Sequence, residues 1–249
     1  MTYKLIAFDL DGTLAESKSP ISDEMVERLQ QLLSIVDVCI ITGGTENQLR
    51  SQVADRLKEV KGLHLMPTCG TRYLINNKNQ WSVQYSDNIS TLETRKIMRV
   101  LEDTAKDLDL WEKYSHGDII ENRGSQITYS ALGQEAPLDA KLAWDPDNAK
   151  KLTLRDAVAA QLPKFEVRCG GTTSLDITRK GVDKAYGIRK LSQLTGISTG
   201  EIVFIGDRLD FNGNDYPVVF TGATCIEVTS PEETLGLIDT LIKNVLKEN

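Results

Sequence analysis

The sequence predicts an α/β protein built on a doubly wound parallel sheet, with an α+β unit inserted into it. Two observations predict this fold. Strand-like and helix-like segments alternate at both ends of the 249-residue chain, as in parallel sheets covered by helices. The middle of the chain instead combines helices with hairpin-like segments, which is typical of antiparallel α+β units. We expect residues 1–82 and 181–249 to form the core and residues 83–180 the inserted unit.

Strand and helix signals alternate in the N-terminal part. Apolar runs predict strands at 4–8 and 36–41, and apolar residues at helical spacing predict a helix between them at 22–33. Thr45 and Gln48 then form a capping-box pattern, which predicts that another helix begins there. The apolar face of that helix would consist of Leu49, Val53 and Leu57.

The C-terminal part repeats this alternation. Residues 202–206 and 225–228 are apolar runs typical of buried strands. Ser230, Pro231 and Glu233 predict the start of a final helix, because serine caps helices and proline favours their first turn. The apolar stripe of this helix would be Leu235, Ile238, Leu241, Ile242 and Val245.

The middle of the chain has a different pattern. Ser90 and Glu93 predict the start of a helix over 91–108. Polar and apolar residues then alternate around Gly124, which predicts a hairpin. A second helix is predicted at 147–162. Two further strands are predicted from the segments KFEVRC and TSLDIT.

The composition is that of an ordinary soluble protein, with 40% hydrophobic residues, 26% charged residues and a formal net charge of -7. Such an acidic chain is not expected to bind nucleic acid or an anionic membrane, because both require basic surfaces. No apolar run approaches the roughly 18 residues of a membrane span, and the N-terminus lacks the apolar stretch of a signal peptide. The four cysteines are far apart, which indicates reduced thiols and a cytoplasmic location.

Polar side chains cluster in four stretches that the predicted fold can bring together. These stretches are Asp9 with Asp11, the turn Thr42–Thr45, Lys184, and Asp207 with Asn214 and Asp215. In open parallel sheets the ligand site lies at the carboxyl ends of the strands. The sequence therefore predicts one shared crevice at that edge of the sheet.

The residue types in these stretches fit phosphoryl chemistry. Asp9, Asp11 and Asp207 offer hard oxygen ligands for Mg²⁺, which would relieve their mutual repulsion. Thr42 and the glycines after it can donate a hydroxyl and backbone N–H groups to phosphate oxygens. Lys184 can pair with a phosphate and with a carboxylate nucleophile, while a second carboxylate can act as general acid and base.

Each stretch alone has an ordinary structural explanation. The segment beginning at Asp9 resembles a calcium loop, but Leu14 stands where an EF-hand requires glycine. The TGGT turn alone would be a strand-to-helix connection, Lys184 a solvated helix residue, and residues 207–215 a polar loop. The combination of all four stretches, in this order, indicates a functional site.

The order DxDGT, Thr42, Lys184 and GDRLDFNGND resembles the haloacid-dehalogenase-like phosphotransferase superfamily. The insertion between the second stretch and the lysine resembles the subgroup with a mixed α/β cap. The segments GGTTSLDITRKGVDKAYG and GDRLDFNGNDYP resemble signatures of the α-phosphomannomutases and their bacterial phosphatase relatives. The resemblance implies a Rossmann-like core and an inserted α+β cap that selects the substrate. It leaves open a homodimer formed through the cap.

The resemblance also implies roles for the matching core residues. Asp9 would be the nucleophile and Asp11 the general acid and base. Mg²⁺ would be bound by Asp9, the main-chain carbonyl of Asp11 and Asp207, with Asp215 nearby. Lys184 would bind the transferred phosphate.

The remaining matches concern contacts with the substrate. Thr42 and Gly43 would contact the phosphate, but the mutases carry serine at the place of Thr45, so both hydroxyls are candidates. Ser174 and Asp176 match cap positions that contact the sugar. The full set of candidate substrate contacts is Lys18, Arg123, Gln134, Ser174 and Asp176.

Departures from the mutase pattern decide the predicted activity. Arg123 matches one of the cap arginines that hold the second phosphate in mutases, but Gln134 replaces another and His116 stands near a third. Neither glutamine nor neutral histidine can hold phosphate in the bidentate manner of arginine. The sequence therefore predicts a Mg²⁺-dependent phosphatase of a small phosphorylated metabolite, a sugar phosphate, acting through an aspartyl-phosphate. A phosphomannomutase-type mutase and a catalytically silent binding module remain the alternatives.

Overall fold

The structure is a computed structural model that describes residues 3–57, 60–77, 80–170, 172–211 and 213–248. The chain divides into two compact units, Met1–Ser86 with Val182–Asn249, and Asp87–Gly181. We call these the core and the cap. The first boundary follows Ser86 rather than residue 82, because the strand Gln80–Ser86 pairs with the core sheet.

The described residues form the following strands and helices. The strands are β1 (Leu5–Phe8), β2 (Asp37–Ile41), β3 (Leu63–Met66), β4 (Arg72–Asn77), β5 (Gln80–Ser86), β6 (Ile120–Asn122), β7 (Gln126–Ser130), β8 (Phe165–Cys169), β9 (Ser174–Arg179), β10 (Ile202–Gly206) and β11 (Thr224–Glu227). The helices are α1 (Asp23–Leu33), α2 (Glu46–Leu49), α3 (Thr91–Asp107), α4 (Leu138–Trp144), α5 (Ala149–Gln161), α6 (Lys184–Thr195) and α7 (Pro231–Glu248). In this described part, no helix has both the length and the apolar character that crossing a membrane requires.

The core is a seven-stranded sheet in the order β11-β10-β1-β2-β3-β4-β5. The first five of these strands are parallel, which confirms the predicted doubly wound sheet. Strands β4 and β5 extend it as an antiparallel hairpin, which was not predicted from the sequence. Several side chains of β5 are exposed, so this segment lacks the continuous apolar run that marks the parallel strands.

Both faces of the central strand β1 are buried. Leu5 and Ala7 pack on the face covered by α6, while Ile6 and Phe8 pack on the face covered by α1 and α7. Because side chains alternate along a strand, four successive apolar residues supply both layers. Val245, which the sequence assigned to the apolar stripe of α7, lies outside the described side chains.

The start of α2 departs from the predicted capping box. The Thr45 side chain accepts a hydrogen bond from the backbone N–H of Gln48, as predicted. The Gln48 amide, however, is directed to Asp11 rather than back to the backbone of Thr45. The helix also changes geometry, since α2 continues as a π-helical turn over Arg50–Ala54.

Helix α6 packs closely on the core because two glycines meet at its surface. A Cβ on Gly70 would lie 2.5 Å from the Cα of Gly187, and a Cβ on Gly187 would overlap Ile41 and lie 2.8 Å from the carbonyl oxygen of Cys69. The side chains that normally separate a helix from its neighbours are therefore missing at this contact. This close approach fixes the position of Lys184, the first residue of the helix.

The cap is a four-stranded antiparallel sheet in the order β6-β7-β9-β8, with α3 and α5 on one face. The predicted hairpin around Gly124 is confirmed, since β6 and β7 pair on either side of it. The predicted capping box of Ser90 and Glu93 at the start of α3 is also present. Helix α4 was not predicted from the sequence.

The contact at Gly187 makes a testable prediction about stability. Gly187→Ala should lower the free energy of unfolding by about 1–3 kcal/mol, because the added methyl group has no room. Gly236→Ala is the matched control, since Gly236 also lies within a helix but a Cβ there meets nothing within 4 Å. It should raise stability by about 0.5–1 kcal/mol through helix propensity. Urea unfolding of both variants measures these effects, and equal changes would contradict the packing argument.

Candidate active site

Three carboxylates converge at the carboxyl ends of two neighbouring parallel strands. Asp9 follows β1 and Asp207 follows β10, and these strands pair directly. Asp215 lies at the end of the loop that begins at Asp207. One oxygen from each carboxylate lies within 4.8 Å of the others. The predicted crevice at this edge of the sheet therefore contains a compact group of oxygen ligands.

The ammonium group of Lys184 lies among these carboxylates. Its Nζ atom is 2.6 Å from Oδ1 of Asp9 and also forms an ion pair with Asp215. Lys184 and Asp215 are fully buried, and Asp9 is 4% exposed. The alternative interpretation of Lys184 as a solvated helix residue is therefore wrong.

Two glycines provide the space that these carboxylates occupy. Gly12 has a φ of 86°, and a Cβ on it would lie 2.5 Å from Oδ2 of Asp207. A Cβ on Gly206 would lie 2.8 Å from Cγ of Asp215. Position 12 thus requires glycine for two reasons: its backbone is left-handed, and the Asp207 carboxylate lies too close for a Cβ.

Burial raises the pKa of Asp9 to about 7; Lys184 opposes the shift and Asp215 adds to it. Burial alone would lower the pKa of Lys184, but the two carboxylates outweigh it and raise that pKa. Lys184 is therefore charged, whereas Asp9 titrates near neutral pH. A divalent cation at the cluster would favour the ionised form of Asp9 and lower its pKa.

The carboxylate of Asp11 is not part of the group formed by Asp9, Asp207 and Asp215, and the expectation that its main-chain carbonyl binds Mg²⁺ stays a prediction. Its Oδ1 atom accepts hydrogen bonds from the backbone N–H of Lys18 at 2.7 Å and from Nε2 of Gln52 at 3.2 Å. Its Oδ2 atom lies 3.4 Å from Nε2 of Gln48. Asp215, which the resemblance places near the metal, is the third carboxylate of this group.

The turn Thr42–Thr45 lies at the end of the neighbouring strand β2. The Thr42 hydroxyl accepts a hydrogen bond from the backbone N–H of Gly44 at 3.0 Å, and the Thr45 hydroxyl caps α2. Both hydroxyl oxygens thus act as acceptors, and the O–H hydrogen of each can be donated to a ligand. Gly43, between them, is partly exposed.

A loop with strained backbone, residues 68–70, is hydrogen-bonded to this turn. Thr68, Cys69 and Gly70 all have positive φ values, of 47°, 56° and 79°. The backbone N–H groups of Thr68 and Cys69 donate to the carbonyl oxygens of Gly44 and Thr42. Two successive non-glycine residues in the left-handed region cost conformational energy, and such strain is concentrated at functional sites.

In the cap, the polar face of the sheet carries Asp176, whose carboxylate is held by its neighbours. Its Oδ1 atom accepts hydrogen bonds from Nε2 of Gln126 and from the Thr128 hydroxyl, both at 2.8 Å. Burial raises the pKa of Asp176, against the effect of these hydrogen bonds and of Arg123. Ser174 lies two residues earlier on the same strand, so its side chain shares this face.

The other predicted cap residues have different surroundings. The guanidinium group of Arg123 donates from Nε and Nη2 to one oxygen of Glu121, each at 2.7 Å. Gln134 lies in the loop after β7, where its carbonyl oxygen accepts a hydrogen bond from Lys141. Its side-chain Nε2 atom is buried without a hydrogen-bond partner among the described residues. His116 is exposed.

Several residues that contact the candidate site residues were not predicted from the sequence. Gln126 and Thr128 contact Asp176, Glu121 pairs with Arg123, and Gln52 reaches Asp11. The contacts of Gln126, Thr128 and Glu121 could have been predicted from the strand period of two. Gln126 and Thr128 lie on the same sheet face as Asp176, and Glu121 is two residues from Arg123. The contact of Gln52 spans 41 residues of sequence and left no local signal.

The raised pKa of Asp9 makes a prediction about the metal-free protein. The native state binds a proton that the unfolded chain, with a pKa near 3.8, releases earlier. Stability due to Asp9 is therefore present below pH 4 and lost as the pH rises through about 7. Compared with Asp9→Asn, the wild-type protein in chelator should lose on the order of 1–4 kcal/mol between pH 5 and pH 8. Urea unfolding at both pH values tests this, and parallel losses in the two proteins would contradict it.

The pattern that defines the haloacid dehalogenase-like hydrolases matches residues 6–219 of this chain. A phosphomannomutase from Encephalitozoon cuniculi is 26% identical over 255 residues, which cover 98% of this chain and 97% of that protein. A phosphomannomutase from Spinacia oleracea is 26% identical over 237 residues, covering 92% and 91%. These matches confirm the resemblance that the motifs indicated.

Solved structures show the same fold at lower identity. A haloacid dehalogenase-like hydrolase from Bacteroides thetaiotaomicron is similar with a TM-score of 0.68 and 18% identity, covering 96% of this chain and 100% of that one. The ATP-bound IMP-nucleotidase of Plasmodium falciparum gives a TM-score of 0.73 at 18% identity, covering 97% of this chain and 60% of that one. By its motifs, its fold and the family match over most of its length, the chain belongs to the haloacid dehalogenase-like hydrolases.

Proposed function

We propose that this protein is a Mg²⁺-dependent phosphatase of a small phosphorylated metabolite, of the sugar phosphate class, that works through an aspartyl-phosphate. The observation that carries the proposal is the contact of the Lys184 ammonium with Asp9 and Asp215, beside Asp207. A carboxylate, a fixed cation and further oxygen ligands are the groups that a phosphoryl transfer through an aspartate requires.

The carboxylate cluster fits a divalent cation by its charge and its atoms. Asp9, Asp207 and Asp215 together with Lys184 carry a formal charge of -2 when all are ionised, which one Mg²⁺ would balance. Carboxylate oxygens are the ligands that Mg²⁺ prefers. When bound, the ion would neutralise charge on the phosphoryl group and keep Asp9 ionised.

The protein residues supply the remaining chemistry. A carboxylate oxygen of Asp9 forms a bond to phosphorus as the ester P–O bond breaks, and Asp11 gives its proton to the leaving oxygen. Water then attacks the aspartyl-phosphate, Asp11 takes a proton from that water, and inorganic phosphate and the Asp9 carboxylate are released. Lys184 holds Asp9 and balances charge on the phosphoryl oxygens.

The turn after β2 is the proposed contact for the other phosphate oxygens. The Thr42 hydroxyl oxygen is occupied as an acceptor, so its hydrogen can be donated to a phosphate. The backbone N–H of Gly43 is the second proposed donor, and Thr45 remains the alternative hydroxyl. Lys18 is exposed and is proposed to contact the part of the substrate that is not transferred.

The charges of the cap favour a phosphatase over a mutase. A mutase must hold a second phosphate, which needs arginines that can make bidentate contacts. Arg123 is already paired with Glu121, and a glutamine stands at position 134. The carboxylate of Asp176, on the same sheet, would repel a phosphate whenever it is ionised. Ser174 and Asp176 are instead suited to the hydroxyl groups of a sugar.

A sugar phosphate mutase is the second candidate, favoured by the relatives that are named phosphomannomutase. A catalytically silent protein is the third, but it would need neither the buried ion pair of Asp9 and Lys184 nor the carboxylate of Asp11. The two experiments below separate these three candidates.

The first experiment tests the phosphatase and its metal. Wild-type protein should release phosphate from p-nitrophenyl phosphate with Mg²⁺ and lose this activity in chelator. Asp9→Asn should reduce the rate by on the order of 10³-fold or more, because the nucleophile is lost. Mg²⁺ should raise the melting temperature of the wild type through binding to the folded state, and hardly that of Asp207→Ala.

Asp210→Ala is the matched control for this experiment. Asp210 lies in the same loop as Asp207 and forms an ion pair with Arg208, outside the carboxylate cluster. This variant should keep both the activity and the response to Mg²⁺. An equal thermal response of wild type and Asp207→Ala would place the metal elsewhere, and an inactive wild type would favour the silent protein.

The second experiment measures the products formed from a hexose 1-phosphate by phosphorus NMR. We expect inorganic phosphate and little hexose 6-phosphate, even with added hexose bisphosphate, because the Arg123 charge is neutralised by Glu121. A mutase must exclude water and hold the phosphate that is not reacting. Predominant transfer from the 1- to the 6-position would overturn the phosphatase assignment in favour of the mutase.

A further inference from the structure

The carboxylate of Asp11 is held by N–H donors from two separate segments of the core. The Lys18 backbone N–H, in a residue with a φ of 59°, donates to Oδ1 at 2.7 Å, and Gln52 donates to the same atom at 3.2 Å. Among the described residues, Oδ2 receives only the longer contact from Gln48 at 3.4 Å. The two oxygens of this carboxylate are therefore unequal.

The orientation of the Gln52 amide is fixed by its neighbours. Its Nε2 atom donates to the carbonyl oxygen of Ser19 at 2.8 Å as well as to Asp11. Both neighbours are acceptors, so reversing the amide would bring oxygen against oxygen. Its Oε1 atom is buried without a hydrogen-bond partner in the described part of the chain. The side chain is 3% exposed. Both N–H groups of its amide are therefore hydrogen-bonded, while its buried carbonyl oxygen is not.

The backbone around Gln52 is fixed to the segment that follows Asp11. The Ile21 backbone N–H donates to the carbonyl oxygen of Gln52 at 3.0 Å, and Arg56 contacts both Ile21 and Asp23. Gln52 itself lies in the π-helical turn Arg50–Ala54. Such turns are rare and are found frequently at functional sites.

We propose that Gln52, assisted by Gln48, is a positioning residue for the general acid and base Asp11, and that Oδ2 is the oxygen that transfers the proton. This inference rests on the proposed function. Oδ1 is occupied by two donors, whereas Oδ2 keeps lone pairs for a proton. Protonated Oδ2 gives its hydrogen to the leaving oxygen as the P–O bond breaks. The same atom accepts a proton from the water that attacks the aspartyl-phosphate.

The test is a series of phosphate monoesters with leaving groups of increasing basicity, assayed with Mg²⁺. Gln52→Met keeps the volume of the side chain but removes both donors. Its rate should fall on the order of 10- to 100-fold on an alkyl phosphate, because a basic leaving group needs the proton. The loss should be only a few-fold on p-nitrophenyl phosphate. Gln48→Met should show the same dependence on the leaving group with a smaller loss of rate. If Gln52→Met does not fold, Gln48→Met replaces it as the test variant.

A double-mutant cycle with Asp11→Asn separates positioning from a structural effect. On phenyl phosphate, Gln52→Met should add no further loss once Asp11 has lost its proton-transfer role. Gln30→Met, a change at an exposed position of α1, should leave all rates unchanged. Equal losses on every ester, or additive losses in the cycle, would overturn the inference. A wild-type protein inactive on the whole series would overturn the proposed function, and this inference with it.

Discussion

The buried ammonium group of Lys184 is the interaction on which the arrangement of the core depends. A charge without access to water is costly unless it is paired, and Lys184 is paired with both Asp9 and Asp215. Its position follows from the close approach of its helix at Gly187 and Gly70. The packing of the helix and the ion pairs of the site therefore depend on each other. A side chain at either glycine would displace the ammonium as well as the helix.

Most of the core could be predicted because its signals are local. The parallel strands are short apolar runs, and polar residues follow them directly, so Asp9 and Asp207 could be placed at one edge of the sheet. The direction of each side chain could not be predicted in the same way. Asp9 and Asp11 are two residues apart, yet only Asp9 joins the carboxylate cluster, because the strand ends at Phe8 and the turn after it redirects the chain.

In the cap, too, the secondary structure could be predicted better than the contacts of individual side chains. Its hairpins and the capped start of α3 could be predicted, since alternation and capping are properties of neighbouring residues. The pairing of Arg123 with Glu121 changes what Arg123 offers to a ligand, and this depends on rotamers that sequence spacing does not fix. The parallel strand β3, the antiparallel strands β4 and β5 and the helix α4 were not predicted, because their apolar residues form no continuous run or clear stripe.

The pairing of β1 has a consequence for how the chain folds during synthesis. Its partner strand β10 begins about 200 residues later, and so does the segment that carries Asp207 and Asp215. Contacts of such long sequence separation slow folding. The cap, in contrast, is one continuous segment, Asp87–Gly181, whose contacts can form as soon as it leaves the ribosome. During synthesis, one edge of β1 therefore stays unpaired until β10 has been made. The carboxylate cluster can form only once nearly the entire chain has been made.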